Sequence, residues 1–223
     1  MILIKGLTAA MRCIATLAAL AFATAASAGT VIITDVGTGY SYNGGIVTIG
    51  SETPWTTPIL LTDGNNKTLV VFCYDLQHYI YVGGGQHLVF TTGPVKYDGN
   101  GDPISEATSN VMGQIANLGR HDYFHGNEDG AIAAQAAIWS VEYGAPVSST
   151  DPTVESYITK YLKITDNGRG YAFGIQSANG VQNQILGGVP EPSTWAMMLF
   201  GVGALGLALR LRRRTNSAVA TAA

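Results

Sequence analysis

The sequence predicts an α+β domain, and three observations predict it. Short β-branched runs separated by Gly, Asn and Pro turns fill the region from about residue 30 to residue 100. Helical spacing then takes over between residues 102 and 163, and a β-like piece returns at 170–186. Strands first, helices grouped later, and strand again is the α+β order, with hairpins preceding a small helical group. Composition agrees, because 28 glycines, 11 tyrosines and only 12% charged residues suit a β-rich secreted protein with many turns.

Each element has its own warrant. Val31 to Val36 alternates and reads as a strand, and Gly44-Gly45 turns into a second at Ile46 to Ile49. Pro54 and Pro58 interrupt the next segment. Leu60 and Leu61 lead into the turn Asp63-Gly64-Asn65-Asn66, and the run Thr68 to Tyr74 completes a hairpin. Tyr79 to Val82 and His87 to Thr92 bracket Gly83-Gly84-Gly85 as another strand pair. Asp102-Pro103 opens a helical segment with Val111, Met112, Ile115 and Leu118 on one face, closed by Gly119. Asp129 or Gly130 starts an Ala-rich helix, Ala131 to Tyr143, ended by Gly144, with Ile132, Ala136, Trp139 and Tyr143 on one face. Asp151-Pro152 starts a third helix burying Val154, Tyr157, Ile158, Tyr161 and Leu162.

Both ends carry directional signals. Lys5 and Arg12 precede or flank the apolar run Ile14 to Ala23, and Ala26-Ser27-Ala28 is a small-residue cleavage site before Gly29. That run is too short for a first membrane helix. Near the other end, Val189-Pro190-Glu191-Pro192-Ser193-Thr194-Trp195 leads into an uncharged run to Leu209, followed by Arg210, Arg212, Arg213 and Arg214. The uncharged run is 15 residues long, against the roughly 17–25 usually needed to span a bilayer. Trp195 suits the headgroup interface, and the arginines suit the cytoplasmic side.

The order Pro190-Glu191-Pro192, Gly-rich apolar helix, Arg cluster resembles the PEP-CTERM sorting signal of Gram-negative bacteria. The resemblance implies that the tail holds an exported protein in the inner membrane until an exosortase-type membrane protease processes it. The expected organisation is a signal peptide at 1–28, an exported domain at 29–188, and a sorting signal at 189–214. The membrane helix falls at about 195–211 and a cytoplasmic tail at 215–223.

Charge and cysteine usage narrow the function classes. Between residues 29 and 190, six lysines and arginines face 14 acidic residues, leaving this segment eight charges negative. Nucleic-acid binding is disfavoured, because counterion release needs clustered cations. Of the two cysteines, Cys13 lies in the signal segment, so Cys73 stands alone in an oxidising compartment.

Cys73 sits in Phe72-Cys73-Tyr74-Asp75 at a strand end, and Gln135 in Ala134-Gln135-Ala136-Ala137-Ile138-Trp139 on the second helix. These two segments resemble the paired motifs of bacterial thioester domains in surface adhesins, with Ala134 where that family usually has Thr. The resemblance implies an internal thioester between Cys73 and Gln135, supported by Phe72, Asp75, Ile138 and Trp139. It implies no enzyme turnover and no cofactor, and its partner would be an amine-bearing surface or matrix target. A thiolate nucleophile and an amide carbonyl are the groups this bond needs. Apolar neighbours such as Phe72, Tyr74, Ile138 and Trp139 would shield it from water. The plain alternative keeps Cys73 as a buried small hydrophobe and Gln135 as a solvated helix residue, in a structural matrix protein of the same fold. A weaker alternative pairs Cys73 with a histidine as a hydrolase.

Other motifs point to ordinary structure. His121 and His125 share a helix face but lack a third ligand for zinc. Asp98, Asn100 and Asp102 begin like a calcium loop, but Pro103 occupies the position of its glycine and no Glu closes it. No metal is expected.

Overall fold

The computed structural model describes residues 29–40, 46–167, 172–178 and 180–187. Eight strands and three helices occur among them: β1 (Gly29–Thr38), β2 (Val47–Ile49), β3 (Ile59–Asp63), β4 (Thr68–Cys73), β5 (Gly83–Pro94), α1 (Glu106–Phe124), α2 (Glu128–Tyr143), β6 (Val147–Ser149), α3 (Pro152–Tyr161), β7 (Ala172–Ser177) and β8 (Gln184–Gly187). Six strands close an antiparallel barrel in the order β1-β3-β4-β8-β7-β5, while β2 and β6 pair separately. The predicted α+β class therefore holds, with the sheet closed on itself. The signal peptide, the sorting signal and the predicted membrane span at 195–211 lie outside the described residues. No helix among the described residues is long and apolar enough to cross a membrane.

The β3–β4 hairpin forms where the turn chemistry places it. Ile59 pairs with Val71 and Thr62 with Thr68, Asn66 adopts φ 61°, and the Asp63 carboxylate accepts from the backbone N–H of Asn65 and Lys67, each at 2.9 Å. In β1 the register shifts between Ile33 and Asp35, and the Thr34 hydroxyl, donating to the carbonyls of Thr62 or Asp63, stitches this bulge.

Four sequence expectations are corrected. Tyr79 to Val82 is not a strand. The glycines instead begin one long strand, β5, which pairs with β1 and β7 rather than folding back on itself. The first helix starts at Glu106 behind the cap Ser105, whose Oγ accepts from Thr108 N–H at 3.0 Å, not at Asp102-Pro103. It also continues through Gly119 to Phe124. Gly119 is a packing position rather than a stop, since a Cβ there would lie 2.5 Å from Ala134 Cβ and 2.6 Å from Phe72 Cζ. Leu162, expected to be buried, is 41% exposed, as is Leu118 at the end of the first helix's apolar spacing.

α2 begins at the cap Asn127 and ends at Gly144 in the left-handed conformation, φ 62°. Every residue from Gly130 to Trp139 is buried, so α2 is a central helix, enclosed all round. It is held between α1, α3 and the barrel wall. Two cores result. Leu69, Val71 and Leu186 line the barrel interior with Ile33, Leu61, Phe90 and Ile175. Phe72, Tyr74 and Ile185 face outward onto Met112, Ile115 and Ile138 of the helices. Strand alternation makes this division, and it decides where Cys73 points.

Candidate functional site

The C-terminal end of β4 carries Cys73, and alternation puts its side chain on the same face as Leu69 and Val71. The residue is 4% exposed. The pairing of β3 with β4 ends at Ile59–Val71, so the peptide groups of Cys73 on that side extend past their strand partner. Gln135 takes the vacant place. Its Oε1 accepts from the Cys73 backbone N–H at 2.7 Å, and its Nε2 donates to the Cys73 carbonyl at 2.5 Å. One side-chain amide thus replaces a strand residue. Gln135 is 1% exposed, so the expectation of a solvated helix residue is overturned. A buried amide needs partners, and here the barrel edge supplies them.

The surroundings of the thiol differ from the sequence expectation. Trp139 and Ile49 pack in one buried cluster with Cys73, and Leu76, Tyr143 and Val147 close around it. Phe72, Tyr74 and Ile138, expected as shielding residues, belong to the helical core on the other face of β4. The reason is the two-residue period of a strand, which turns both neighbours of Cys73 away from it. Gln135, Ile138, Trp139 and Glu142 fall at helical spacing, and that stripe brings Gln135 and Trp139 to the end of β4.

Asp75 is fully buried and organises the chain beyond Cys73. Its Oδ1 accepts from the backbone N–H of Gln77 at 2.9 Å and of His78 at 3.2 Å. Its Oδ2 meets His78 Nδ1 at 2.8 Å and accepts from Asn183 N–H at 3.3 Å. Gln182 Nε2 donates to the Asp75 carbonyl at 2.8 Å. Asp75 thereby ties the loop after β4 to the approach to β8. Sequence reasoning did not single out Gln182, Asn183 or Gln184, because their signal is only three polar residues in a row before an apolar strand.

Gln184 makes the hydrogen bond to the sulfur. It pairs across from Cys73 in the register of β4 and β8, and its Nε2 lies 3.5 Å from Cys73 Sγ. Burial pushes the Cys73 thiol well above its ordinary range; the Gln184 amide opposes that rise, and the charges of Asp75 and Glu142 add to it. The sulfur's hydrogen-bond partner is therefore an amide. No imidazole hydrogen-bonds to it among the described residues, and His78 is engaged by Asp75.

The remaining candidates fall into structural roles. His121 and His125 stack at 4.0 Å between centroids, with His125 Nδ1 at 2.7 Å from the His121 carbonyl. The Asp98 carboxylate accepts from Asn100 and Asp102 N–H, each at 2.8 Å, closing its own turn. No group of three or more metal-ligating side chains forms among the described residues. Pro190, Glu191, Pro192 and the arginines from Arg210 to Arg214 lie outside them.

Comparison with curated proteins found no match by sequence. Among solved structures, the chain is similar to the N-terminal thioester domain of a surface protein from Clostridium perfringens, at 13% identity and a TM-score of 0.41, over 59% of this chain and 88% of that one. It is also similar to the N-terminal thioester domain of the fibronectin-binding protein SfbI from Streptococcus pyogenes, at 10% identity and a TM-score of 0.39, over 68% of this chain and 92% of that one. Residues 188–214 match the PEP-CTERM protein-sorting motif, so this chain carries that sorting signal at its C-terminal end.

Proposed function

We propose that the chain is an exported attachment protein, held at the inner membrane by its tail, whose Cys73 and Gln135 form an internal thioester that bonds to target amines. It acts stoichiometrically, once per molecule, and not as a turning-over enzyme. The sorting motif supports delivery through an exosortase-type membrane protease to the cell surface or extracellular matrix.

The observation that carries the chemistry is the double hydrogen bond between the Gln135 amide and the Cys73 backbone. It fixes the amide carbon beside the residue that bears the nucleophile, which is the proximity such a step requires. In the forming step Sγ bonds to Gln135 Cδ, the Cδ–Nε2 bond breaks, and ammonia leaves carrying the thiol proton. The Cys73 N–H, already directed at Oε1, would stabilise charge developing on that oxygen. A target amine then attacks Cδ, an amide forms, and the sulfur departs to regain a proton. Trp139, Ile49 and Tyr143 keep bulk water from the bond between the two steps.

Intact mass tests this reading. The exported chain, purified in detergent, should be lighter than its sequence by one ammonia. Cys73→Ala and Gln135→Ala should each abolish that deficit. A full-mass chain whose Cys73 alkylates while the protein is folded would instead make this a structural matrix protein without bond-forming chemistry.

A further inference from the structure

We infer that Gln184 is a third reacting-site residue, whose side-chain N–H supports the Cys73 sulfur as it gains charge and whose carbonyl oxygen receives an N–H of the incoming amine. This inference rests on the thioester reading above and adds to it the group that handles the sulfur and the nucleophile.

Four observations converge on Gln184. It is fully buried, although a polar side chain on a four-residue barrel strand would ordinarily be replaced by an apolar one. It stands directly opposite Cys73, and it shares the inner face of β8 with Leu186 while Ile185 faces the helices. Its Nε2 reaches Sγ at 3.5 Å and the Gln182 carbonyl at 3.2 Å. The second contact fixes which end of the amide is which, since only the NH2 group can donate to a carbonyl. Its Oε1 is buried without a hydrogen-bond partner among the described residues.

An unmet buried acceptor is costly, so its persistence beside a sulfur nucleophile has a chemical meaning. The acceptor suits a ligand that brings an N–H, and a primary amine is such a ligand. When an amine R–NH2 opens the thioester, a Cδ–N bond forms and the Cδ–Sγ bond breaks. The electron pair of that bond goes to sulfur, and one amine proton follows it to give the thiol. The Gln184 N–H lies where the negative charge arrives, and Oε1 orients the nitrogen that attacks. The other groups facing the sulfur are Asp75 beyond β4 and Glu142 and Tyr143 from the end of α2. They are unchanged when Gln184 alone is replaced, so a comparison of variants isolates its contribution.

The experiment uses the full chain in detergent as wild type, Gln184→Met and Gln184→Glu. The first variant keeps the side-chain length without the amide. The second keeps the shape and exchanges the donor for a carboxylate. Intact mass is read first, then the rate of opening by methylamine, and finally the rate of alkylation of the freed thiol at one fixed, mildly alkaline pH. The methylamine step leaves the Cys73 thiol free whether or not a thioester was present. Gln184→Met should slow amine opening about tenfold and slow alkylation of the freed thiol about tenfold. Gln184→Glu should slow alkylation further. Equal alkylation rates and equal opening rates in folded variants overturn the inference. A full-mass wild type overturns the amine role together with the thioester reading, and the alkylation rates alone then decide the sulfur role. Should Gln184→Met fail to fold, the isosteric Gln184→Glu carries the same comparison.

Discussion

Gly119 of α1 and Ala134 of α2 meet so closely that Gly119 has no room for a side chain. A Cβ on Gly119 would lie 2.5 Å from that of Ala134, which is fully buried. Gln135 is the next residue along α2.

Gly119→Ala should therefore destabilise the fold by about 1–3 kcal/mol through overpacking. Equilibrium unfolding in urea, followed by tryptophan fluorescence, measures it. A variant as stable as wild type would show that the helices can separate without loss.

Gln135 should have a structural effect apart from any covalent bond. In a Cys73→Ala background, where no thioester can form, Gln135→Leu should still cost about 2–4 kcal/mol. It strands a buried N–H and a buried carbonyl on β4. Denaturant unfolding of the single and double variants gives the difference. No difference would mean that water reaches the β4 edge and replaces the amide.

Glu142 makes stability depend on pH. Both its carboxylate oxygens are buried without hydrogen-bond partners among the described residues. Burial first, and then the charges of Asp75 and Asp98, push its pKa up to about 9. The native state thus holds a proton that the unfolded chain releases near its ordinary value of 4.5. Between those values the folded form binds more protons, so this group's contribution to stability falls as pH rises through the window. Glu142→Gln should flatten that slope and leave the protein more stable than wild type at about pH 8, with little difference at about pH 4. Unfolding midpoints across that range check it, and parallel curves would contradict it.

The tail makes a topological prediction. Moving arginines through the bilayer centre is opposed at roughly 2.5–3.5 kcal/mol each on insertion scales. Replacing Arg210, Arg212, Arg213 and Arg214 with neutral residues should therefore weaken membrane retention. A periplasm-active reporter should work when fused after residue 185 and fail after residue 216. Equal activity at both positions would show that the tail does not stop transfer.

Much of the molecule is readable from local chemistry. The hairpin turn at Asp63 to Asn66, the caps Asp151 and Gly144, and the alternation in β4 are each fixed by residues near in sequence. The sorting motif is likewise a linear signal, so residues 188–214 carry it whatever the domain does. The Cys73 and Gln135 segments can be paired by their resemblance to known motifs, although 62 residues separate them.

Other features are decided only by tertiary structure. Gly83 to Gly85 reads as a turn, but the neighbouring strands β1 and β7 determine that the chain continues as β5. Gly119 reads as a helix end, yet it is where another helix must approach. Phe72 and Tyr74 are expected at the thiol; strand alternation already turns them away from it, and only the tertiary packing decides that their face of β4 meets the helices. Gln184 gives no signal of its own, because its position opposite Cys73 exists only once β8 completes the ring. Turn, cap and period preferences act over a few residues and can be read in the chain. Which face is buried, and which distant amide reaches a sulfur, depends on strand order and close packing, which no local window contains.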